Sequence, residues 1–268
     1  MSSPKWIIEE SSIPDDVEPL KNALDTCGIS YELSSPNSPL NTDSEDCVVF
    51  VGSLNTAKNL RRAAKWIPGV YYNRVMYECR FYYAYLGQHI FNSNYIMLPY
   101  GDLLRQKEFI YDKLSQDRAI FIRPDRSDKP FTGKLIYKEF FDKDVDTLGF
   151  GGMNPEELII AAEPRNIKAE WRFVVVEGKV VAGSQYRKDN LVAVAEGYPQ
   201  GAFDFAQYIS SVYNPDIAWV CDVCETVGGE YKVMEVGCFS CAGLYKADRF
   251  AIVKAVSEAA VKEWESYR

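Results

Sequence analysis

Residues 221–241, CDVCETVGGEYKVMEVGCFSC, hold two kinds of metal-ligating side chain within one predicted β-hairpin. Four cysteines in two Cys-x-x-Cys pairs have the spacing of a zinc ribbon. Asp222 and Glu235 lie between those cysteines and offer the hard oxygen ligands that Mg²⁺ prefers. The segment therefore poses two alternatives, a zinc site made of thiolates or a magnesium site made of carboxylates.

The predicted strand register of this hairpin favours the carboxylates. A loop that is symmetric about the glycine pair places Asp222 directly opposite Glu235. The same register places Cys224 opposite Val233. Facing carboxylates repel each other unless a cation lies between them, although a lysine beside one exposed carboxylate would serve as well. Cys221 and Cys224 point to opposite faces of the strand and do not converge on one ion, so we expect the cysteines to pack as small apolar residues.

Residues 170–187, EWRFVVVEGKVVAGSQYR, predict a second hairpin. Two β-rich runs flank Glu177 and Gly178, a dipeptide that suits a two-residue turn. Counting back from this turn sets Arg172 opposite Gly183.

One face of the second hairpin ends in polar side chains. The same count places Glu170 opposite Gln185. The predicted polar face consists of Glu170, Arg172, Gln185 and Arg187, with Lys168 in line just outside. Exposed ion pairs contribute only about 0–1 kcal/mol, so stability alone is a weak reason to group these charges. A solvated face with incidental ion pairs and a functional cluster both remain open.

The elements that position these hairpins suggest an α/β (α+β) chain in two parts. Alternating β and α patterns predict a small open α/β domain over residues 1–100. Long strand pairs with tight turns then predict a second domain over residues 101–268. The chain ends in a predicted helix with Asp248 as its N-cap and a buried stripe that begins at Phe250.

The composition narrows the classes of partner. The chain of 268 residues has 30 Lys and Arg against 38 Asp and Glu, a net charge of −8, which argues against nucleic acid or an anionic membrane as the main partner. It shows no long apolar run and no targeting signal, so we expect a cytoplasmic protein whose seven cysteines are reduced thiols. His89 is the sole histidine, which removes most triads and histidine-rich metal sites.

Four segments, taken in order, resemble the ATP-grasp superfamily: FIRPDRSDKPFTGK, AEPRNIKAEWRFVVVEGKVVAGSQYR, WVCDVCET and VMEVGCFSCAGLY. They look most similar to the phage-associated branch named for two arginines and a lysine, whose members are predicted peptide or protein ligases. The resemblance covers roughly residues 118–256. It implies an ATP-grasp fold, in which a small N-terminal open α/β domain precedes two antiparallel-sheet subdomains that enclose a nucleotide cleft.

The resemblance also implies residues that bind the nucleotide. Arg123 is similar in position to a residue that contacts phosphate. Lys129 and Gly133 belong to a segment that resembles the flexible loop over the phosphates. Glu163 resembles the hinge that recognises adenine and ribose, and Glu170 joins this nucleotide-binding set.

The remaining roles fall on the two hairpins. The resemblance implies that Lys168, Arg172 and Arg187 hold phosphates and an acyl-phosphate intermediate. It implies that Asp222 and Glu235 bind Mg²⁺, in agreement with the predicted register.

One position departs from the family pattern. Gly237 stands where the family usually has an asparagine that also binds metal. Water or Ser240 would take that place, or metal binding is weaker.

The leading hypothesis is an ATP- and Mg²⁺-dependent carboxylate–amine ligase. Its partners would be ATP, a small-molecule, peptide or protein carboxylate, and an amine. An ATP-dependent kinase and a catalytically weakened nucleotide-binding module are the alternatives, and a zinc-ribbon binding protein is the least favoured. The aromatic content of 14% leaves room for an oligomeric interface.

Overall fold

The computed structural model describes residues 3–36, 38, 45–63, 66, 69–149 and 153–268. The chain forms two compact units. Unit 1 comprises Met1–Arg74 and Ile167–Arg268, and unit 2 comprises Val75–Asn166. None of the described helices combines the length and apolarity that a membrane crossing requires.

The strands are β1 (Lys5–Glu9), β2 (Tyr31–Ser34), β3 (Val48–Val51), β4 (Tyr95–Pro99), β5 (Ala119–Pro124), β6 (Lys134–Tyr137), β7 (Leu158–Ala162), β8 (Ile167–Val176), β9 (Lys179–Lys188), β10 (Leu191–Glu196), β11 (Ala218–Thr226) and β12 (Tyr231–Cys238). The α-helices are α1 (Pro14–Cys27), α2 (Leu54–Ala63), α3 (Cys79–Leu86), α4 (Lys107–Leu114), α5 (Phe141–Gly149), α6 (Gln200–Val212) and α7 (Arg249–Ser266).

A three-stranded parallel sheet begins unit 1, in the order β2-β1-β3. Every residue of β3 and nearly every residue of β1 is buried, because both faces of a parallel sheet are covered. Helix α1 ends at Gly28, whose φ of 65° is left-handed. The β-α-β-α alternation predicted for the N-terminal region is present.

An antiparallel sheet of five described strands completes unit 1, in the order β10-β9-β8-β11-β12. The two predicted hairpins are β8–β9 and β11–β12. They lie side by side because β8 pairs with β11. This pairing brings the polar residues of the two hairpins onto one sheet.

The core of unit 1 joins both of its sheets through α7. This helix packs against α1, β3, β8 and β9. Trp6 on β1 is fully buried, and its indole N–H donates to the hydroxyl of Ser257 on α7 at 2.9 Å. The predicted stripe of α7 is wrong at Phe250, which is 47% exposed. Val253, Val256 and Ala260 of the predicted stripe are buried, and Trp264 is partly buried. Ile252 and Ala259 extend the buried face.

Unit 2 has its own antiparallel sheet, in the order β4-β7-β5-β6, with a separate apolar core. Strand β4 pairs with β7 through Tyr95 and Ala162, so the residues just before position 100 belong with those that follow. The bounds of the two compact units lie at Arg74 and at Asn166. The domain bounds predicted from the sequence, 1–100 and 101–268, stay a prediction.

The N-cap of α7 provides a test of its local stability. Asp248 accepts a hydrogen bond from the backbone N–H of Ala251 at 3.1 Å, as the sequence predicts. Asp248→Ala should lower the free energy of unfolding by about 1 kcal/mol, since it leaves that N–H without its acceptor. Urea denaturation would measure the change. The exposed Lys254→Ala, in the middle of the same helix, is the control and should leave the midpoint unchanged.

Candidate active site

The β8–β9 hairpin turns at Glu177 and Gly178, as predicted, and Val176 pairs with Lys179. The φ angles of the two turn residues are 48° and 75°, as this kind of two-residue turn requires. Two β-bulges then shift the rest of the register.

The first bulge corrects the predicted partner of Arg172. Arg172 lies opposite Ser184 rather than Gly183, because Val181 is an extra residue in β9. Ser184 is fully buried. The predicted strand register is therefore wrong by one residue from here to the second bulge.

The second bulge corrects the predicted polar face. Glu170 lies opposite Arg187 rather than Gln185, and Tyr186 is the extra residue. The hydroxyl of Tyr186 donates to the carboxylate of Glu170. Gln185 leaves this face, and its Nε2 donates to the carbonyl of Ala193 at 3.1 Å. A tyrosine thus takes the place predicted for a glutamine.

A buried ion pair joins the two hairpins. Arg172 on β8 faces Asp222 on β11 and donates to both of its carboxylate oxygens, at 2.8 Å from Nε and 2.7 Å from Nη2. The two side chains are 16% and 5% exposed. Burial alone would lower the pKa of Arg172, but the Asp222 carboxylate raises it well above its ordinary value. The pair is bidentate, which fixes the plane of the guanidinium.

Two stacked tyrosines cover this ion pair. The rings of Tyr186 and Tyr245 are 5.0 Å apart and inclined by 10°. The guanidinium of Arg172 lies 5.7 Å from the first ring centre and 5.2 Å from the second. Burial and the nearby carboxylates of Asp222 and Glu170 raise the pKa of Tyr186, so its hydroxyl stays protonated and donates.

The loop that carries Tyr245 forms hydrogen bonds with three charged side chains. Arg172 donates to the carbonyl of Gly243 at 3.1 Å, and Asp16 on α1 accepts from the backbone N–H of Leu244 at 2.8 Å. Arg249 pairs with Asp16 and also donates to the carbonyl of Tyr245. These bonds hold Tyr245 at a φ of 54°, an uncommon backbone conformation for a tyrosine.

A second ionic contact lies beside the first. Glu170 is 3% exposed, and its Oε1 lies 3.4 Å from Nη1 of Arg187. Burial raises the pKa of Glu170, against the opposing effects of the Tyr186 hydrogen bond and the Arg187 charge. Oε1 of Glu170 and Nε of Arg187 are buried without hydrogen-bond partners. Such groups are rare in folded proteins and point to a site that a polar ligand completes.

The predicted pair of carboxylates is confirmed in register. Asp222 on β11 lies opposite Glu235 on β12. A bulge follows immediately, so Cys224 lies opposite Lys232 instead of the predicted Val233. Asp222 can accept from Arg172 and still offer a lone pair to a cation, because each carboxylate oxygen carries two.

Gly237 lies on the same face as Glu235, two residues further along β12. An added Cβ there would be 3.2 Å from Cγ2 of Val220, closer than ordinary packing. Val220 is buried in the core of unit 1. Gly237 therefore lies close to the apolar side chain of Val220, at the position where the family pattern has an asparagine. Ser240, the alternative ligand, is fully buried, and its hydroxyl accepts from the backbone N–H of Tyr71 at 3.0 Å.

Lys168 lies outside this cluster. Its ammonium pairs with Glu225 at 2.5 Å, and its side chain is more than half exposed. The structure therefore gathers Arg172, Arg187 and Glu170 near Asp222 but leaves Lys168 at the rim of the sheet.

The four cysteines of the β11–β12 segment do not converge. Cys221 and Cys224 are fully buried on one continuous strand, and burial raises the pKa of both thiols. Cys238 and Cys241 are partly buried, and all seven cysteines are free thiols. Within the described ranges, no three histidine, cysteine, aspartate or glutamate side chains come together as a metal site.

In unit 2, Arg123 lies on β5, and Gly133 directly precedes β6, which pairs with β5. A Cβ at Gly133 would be 2.7 Å from the ring of Phe121 and 3.3 Å from the Cβ of Arg123, so only glycine lets the chain pass this closely. Lys129 lies in a turn, where its φ is 42° and its N–H donates to the carbonyl of Arg126.

Glu163 follows β7 and is held by three donors. Its carboxylate accepts from Asn94 at 3.4 Å, from Arg165 at 3.3 Å, and from the side chain of Gln116. Partial burial alone would raise the pKa of Glu163, but these hydrogen bonds lower it below its ordinary value. The carboxylate is therefore ionised at neutral pH and fixed in direction.

Tyr186 and Tyr245, the two aromatic residues that cover the ion pair, are not predicted from the sequence. Tyr186 follows Gln185 directly in β9. No local sequence pattern predicts the bulge that turns Tyr186 toward Glu170. Tyr245 lies in a loop without turn-forming residues at its position. Asp16 and Arg249, which fasten that loop, are 233 residues apart.

A family model matches residues 105–255, more than half of the chain. It describes an ATP-grasp domain, family 2 of the clade named for two arginines and a lysine. None of the curated proteins matches the chain.

Solved structures of ATP-grasp proteins are similar along the whole chain. D-cycloserine synthetase DcsG has a TM-score of 0.66 at 13% identity, covering 96% of this chain and 99% of its own. ATP-grasp ligase PsnB with its minimal precursor has a TM-score of 0.60 at 12% identity, covering 98% and 100%. D-alanine–D-alanine ligase from Bacillus anthracis complexed with ATP has a TM-score of 0.66 at 11% identity, covering 100% of both chains. At these identities the likeness establishes the fold.

Breaking the buried ion pair should destabilise unit 1. Arg172→Met keeps the length of the side chain but leaves Asp222 buried without its partner, which should lower the free energy of unfolding by about 3–5 kcal/mol. Denaturant unfolding would measure it. Lys168→Met is the matched control, four residues away on the same strand, and should unfold close to wild type because its pair is exposed. Equal losses in both variants would contradict the difference in burial.

The raised pKa of Glu170 predicts a pH dependence. The folded protein holds this proton more tightly than the unfolded chain, so the contribution of Glu170 is most favourable below its unfolded pKa of about 4.3 and is lost as pH rises through the folded pKa. Glu170→Gln should therefore gain stability relative to wild type as pH rises across that window. Urea unfolding from about pH 4 to pH 8 would show it, and a difference that shrinks with rising pH would contradict it.

Proposed function

Because the chain belongs to the ATP-grasp family whose model matches residues 105–255, we propose that it is an ATP-dependent ligase that joins a carboxylate to an amine. The chain has the predicted ATP-grasp fold, a mixed α/β arrangement with antiparallel sheets. The observation that carries the proposal is the bidentate Arg172–Asp222 pair. Its Asp222 lies directly opposite Glu235 in the neighbouring strand.

The reaction we propose has two steps. The γ-phosphoryl group of ATP passes to a carboxylate oxygen of the substrate, which gives an acyl phosphate and ADP. The amine nitrogen then attacks the acyl carbon, the bond to the phosphate oxygen breaks, and the amine gives up a proton as the amide forms. Both steps need positioned positive charge rather than a protein nucleophile.

The residues of unit 1 supply that charge. Arg172 is fixed by Asp222 and the tyrosines, so its orientation is set before substrate arrives. Arg187 contributes a second guanidinium, and its unpartnered Nε is a donor available to a phosphate oxygen. Lys168 lies at the rim and is proposed to contact phosphate only after leaving Glu225.

The carboxylates of Asp222 and Glu235 fit Mg²⁺, because they form a facing pair of hard oxygen donors. Bound Mg²⁺ would neutralise negative charge on the phosphoryl group during transfer. Mg²⁺ usually keeps several waters and is held by one or two carboxylates with substrate phosphates, so Gly237 does not remove the site.

In unit 2 we propose that Arg123, Lys129 and Gly133 contact the nucleotide phosphates. Glu163 would accept from the ribose hydroxyls, since it is ionised and fixed by three donors. Two of the similar structures hold a nucleotide, D-alanine–D-alanine ligase with ATP and PsnB with Mg and ADP. The association of this branch with phages stays a prediction.

A trapping assay would test the ligase. The protein is incubated with ATP, Mg²⁺ and pooled amino acids and peptides, with and without hydroxylamine as a surrogate amine. We expect ADP release that needs a carboxylate, together with a hydroxamate product. ADP release with a phosphorylated product and no hydroxamate would indicate a kinase instead.

A catalytically weakened nucleotide-binding module is the second candidate, and Gly237 is the observation that favours it. In that case ATP and Mg²⁺ would raise the melting temperature, yet no mixture of substrates would release ADP. Gly237→Asn should then fail to restore turnover unless Val220 is made smaller, because the added side chain would press against it.

Glu235→Gln should reduce Mg²⁺-dependent turnover by ~100-fold or more, because the ion contributes several kcal/mol of charge stabilisation. This variant is preferred to Asp222→Asn, which also disturbs the Arg172 pair. The melting temperature should stay near that of wild type. Glu177→Gln, in the β8–β9 turn, is the control. Undiminished turnover at limiting Mg²⁺ would exclude Glu235 as a ligand.

A further inference from the structure

The two Cys-x-x-Cys pairs of the β11–β12 segment lie on different kinds of backbone. Cys221 and Cys224 belong to β11, which is extended, so their Cα atoms are about 10 Å apart, three residues at about 3.3 Å each. Cys238 ends β12, and Cys241 ends the 3₁₀ turn Phe239–Cys241 that follows it. The same spacing in sequence therefore gives two different distances in space.

The 3₁₀ turn brings the second pair of cysteines together. Such a turn rises about 2.0 Å per residue and closes after three residues, so the Cα atoms of its N-cap Cys238 and of Cys241 lie about 6 Å apart. A disulfide usually has a Cα separation of about 4.4–6.8 Å, and beyond about 7 Å it needs a movement of the backbone. The second pair meets this requirement, whereas Cys221 and Cys224 do not.

The thiols of Cys238 and Cys241 also contact each other. Hydrogen bonding with Cys238 is the largest of the effects that raise the pKa of Cys241, and burial adds to it. Cys241 therefore keeps its proton at neutral pH and donates a hydrogen bond to the sulfur of Cys238. Both residues are partly exposed, whereas Cys221 and Cys224 are fully buried. A small reagent can thus reach the second pair but not the first.

The two residues between Cys238 and Cys241 fix the turn. Phe239 is fully buried, and its ring packs edge-on against Trp6 and Tyr71, with ring centres 6.2 Å and 6.4 Å away. The carbonyl of Ser240 accepts from the N–H of Gly52 at 2.8 Å, and its hydroxyl accepts from the N–H of Tyr71 at 3.0 Å. Because the turn is held at both positions, the folded chain loses little freedom when the two thiols join.

We propose that Cys238 and Cys241 form a modification site, at which a small-molecule disulfide such as oxidised glutathione converts the two thiols into a reversible intramolecular disulfide. A metal ion suits the pair less well, since a zinc site takes four ligands and no three ligating side chains gather within the described ranges. The reaction uses neither ATP nor Mg²⁺, so the inference does not depend on the proposed function.

The modification takes two exchange steps and consumes one small-molecule disulfide. Cys238 acts first, because the thiolate is the nucleophile and the raised pKa of Cys241 disfavours its thiolate. The sulfur of Cys238 loses its proton and bonds to one sulfur of the reagent, whose S–S bond breaks, and the released sulfur takes up a proton. The sulfur of Cys241 then attacks that of Cys238, and its proton passes to the second departing thiol. The protein loses two electrons and two protons, and the reagent gains them.

Mass spectrometry of the oxidised protein tests the site and the order of the two steps. The folded, full-length chain is incubated with oxidised glutathione, the remaining thiols are alkylated, and the peptides are mapped. We expect a Cys238–Cys241 disulfide in wild type, which dithiothreitol reverses. Cys241→Ala should trap glutathione on Cys238, about 10-fold faster than Cys238→Ala traps it on Cys241, because only the first variant retains the attacking thiol.

Cys224→Ala is the matched control, since it removes one thiol of the other Cys-x-x-Cys pair. It should form the Cys238–Cys241 disulfide at the rate of wild type. Three results would each overturn the inference: wild type that keeps both thiols reduced while folded, a disulfide that forms only after unfolding in urea, or equal trapping by Cys241→Ala and Cys238→Ala.

The wild-type digest decides the matter if an alanine variant fails to fold. In folded wild type, Cys221 and Cys224 should remain thiols under the conditions that join Cys238 to Cys241. A Cys221–Cys224 disulfide in the folded protein, formed as readily as the other, would contradict the argument from distance and exposure.

Discussion

The candidate active site depends on one contact, the buried ion pair of Arg172 with Asp222. Each ion alone would be costly in the interior, and the bidentate geometry makes the pair tolerable by satisfying both. The contact also decides where other groups lie. Arg172 binds the carbonyl of Gly243, and through it the loop that carries Tyr245, while Asp222 faces Glu235. A single interstrand pair thus orients a guanidinium and a carboxylate and, through the Gly243 carbonyl, binds the loop that carries Tyr245.

Residues far apart in sequence maintain that arrangement. Asp16 on α1 and Arg249 on α7 form hydrogen bonds with the loop between Gly243 and Ala247, and this loop in turn accepts a hydrogen bond from Arg172. The same helix α7 joins the parallel sheet to the antiparallel sheet in one core. The parallel sheet and the charged face at Arg172 therefore belong to a single packed unit.

The sequence predicted those parts of the structure that follow from local pattern. Apolar and polar residues alternate along these strands, and glycines mark the turns between them. These two signals were enough to predict both hairpins, the turn at Glu177 and Gly178, and the pairing of Asp222 with Glu235. They failed at the bulges, where one extra residue reverses a face and brings in Tyr186 instead of Gln185. The alternation of residue types does not show where one strand carries an extra residue, so the two bulges of β9 were not predicted. The pairing of β8 with β11 and the bonds that Asp16 and Arg249 make to the Tyr245 loop join residues far apart in sequence, so no local pattern predicts them.

The split course of unit 1 has a consequence for how the protein is made. Its N-terminal sheet shares a core with α7, yet all of unit 2 is encoded between them. During synthesis, β1, β3 and α1 leave the ribosome with apolar faces that have no cover, while residues 75–166 form a continuous segment that can close its own core first. The order of emergence thus differs from the order of completion, and the N-terminal sheet completes its core only after α7 has been synthesised.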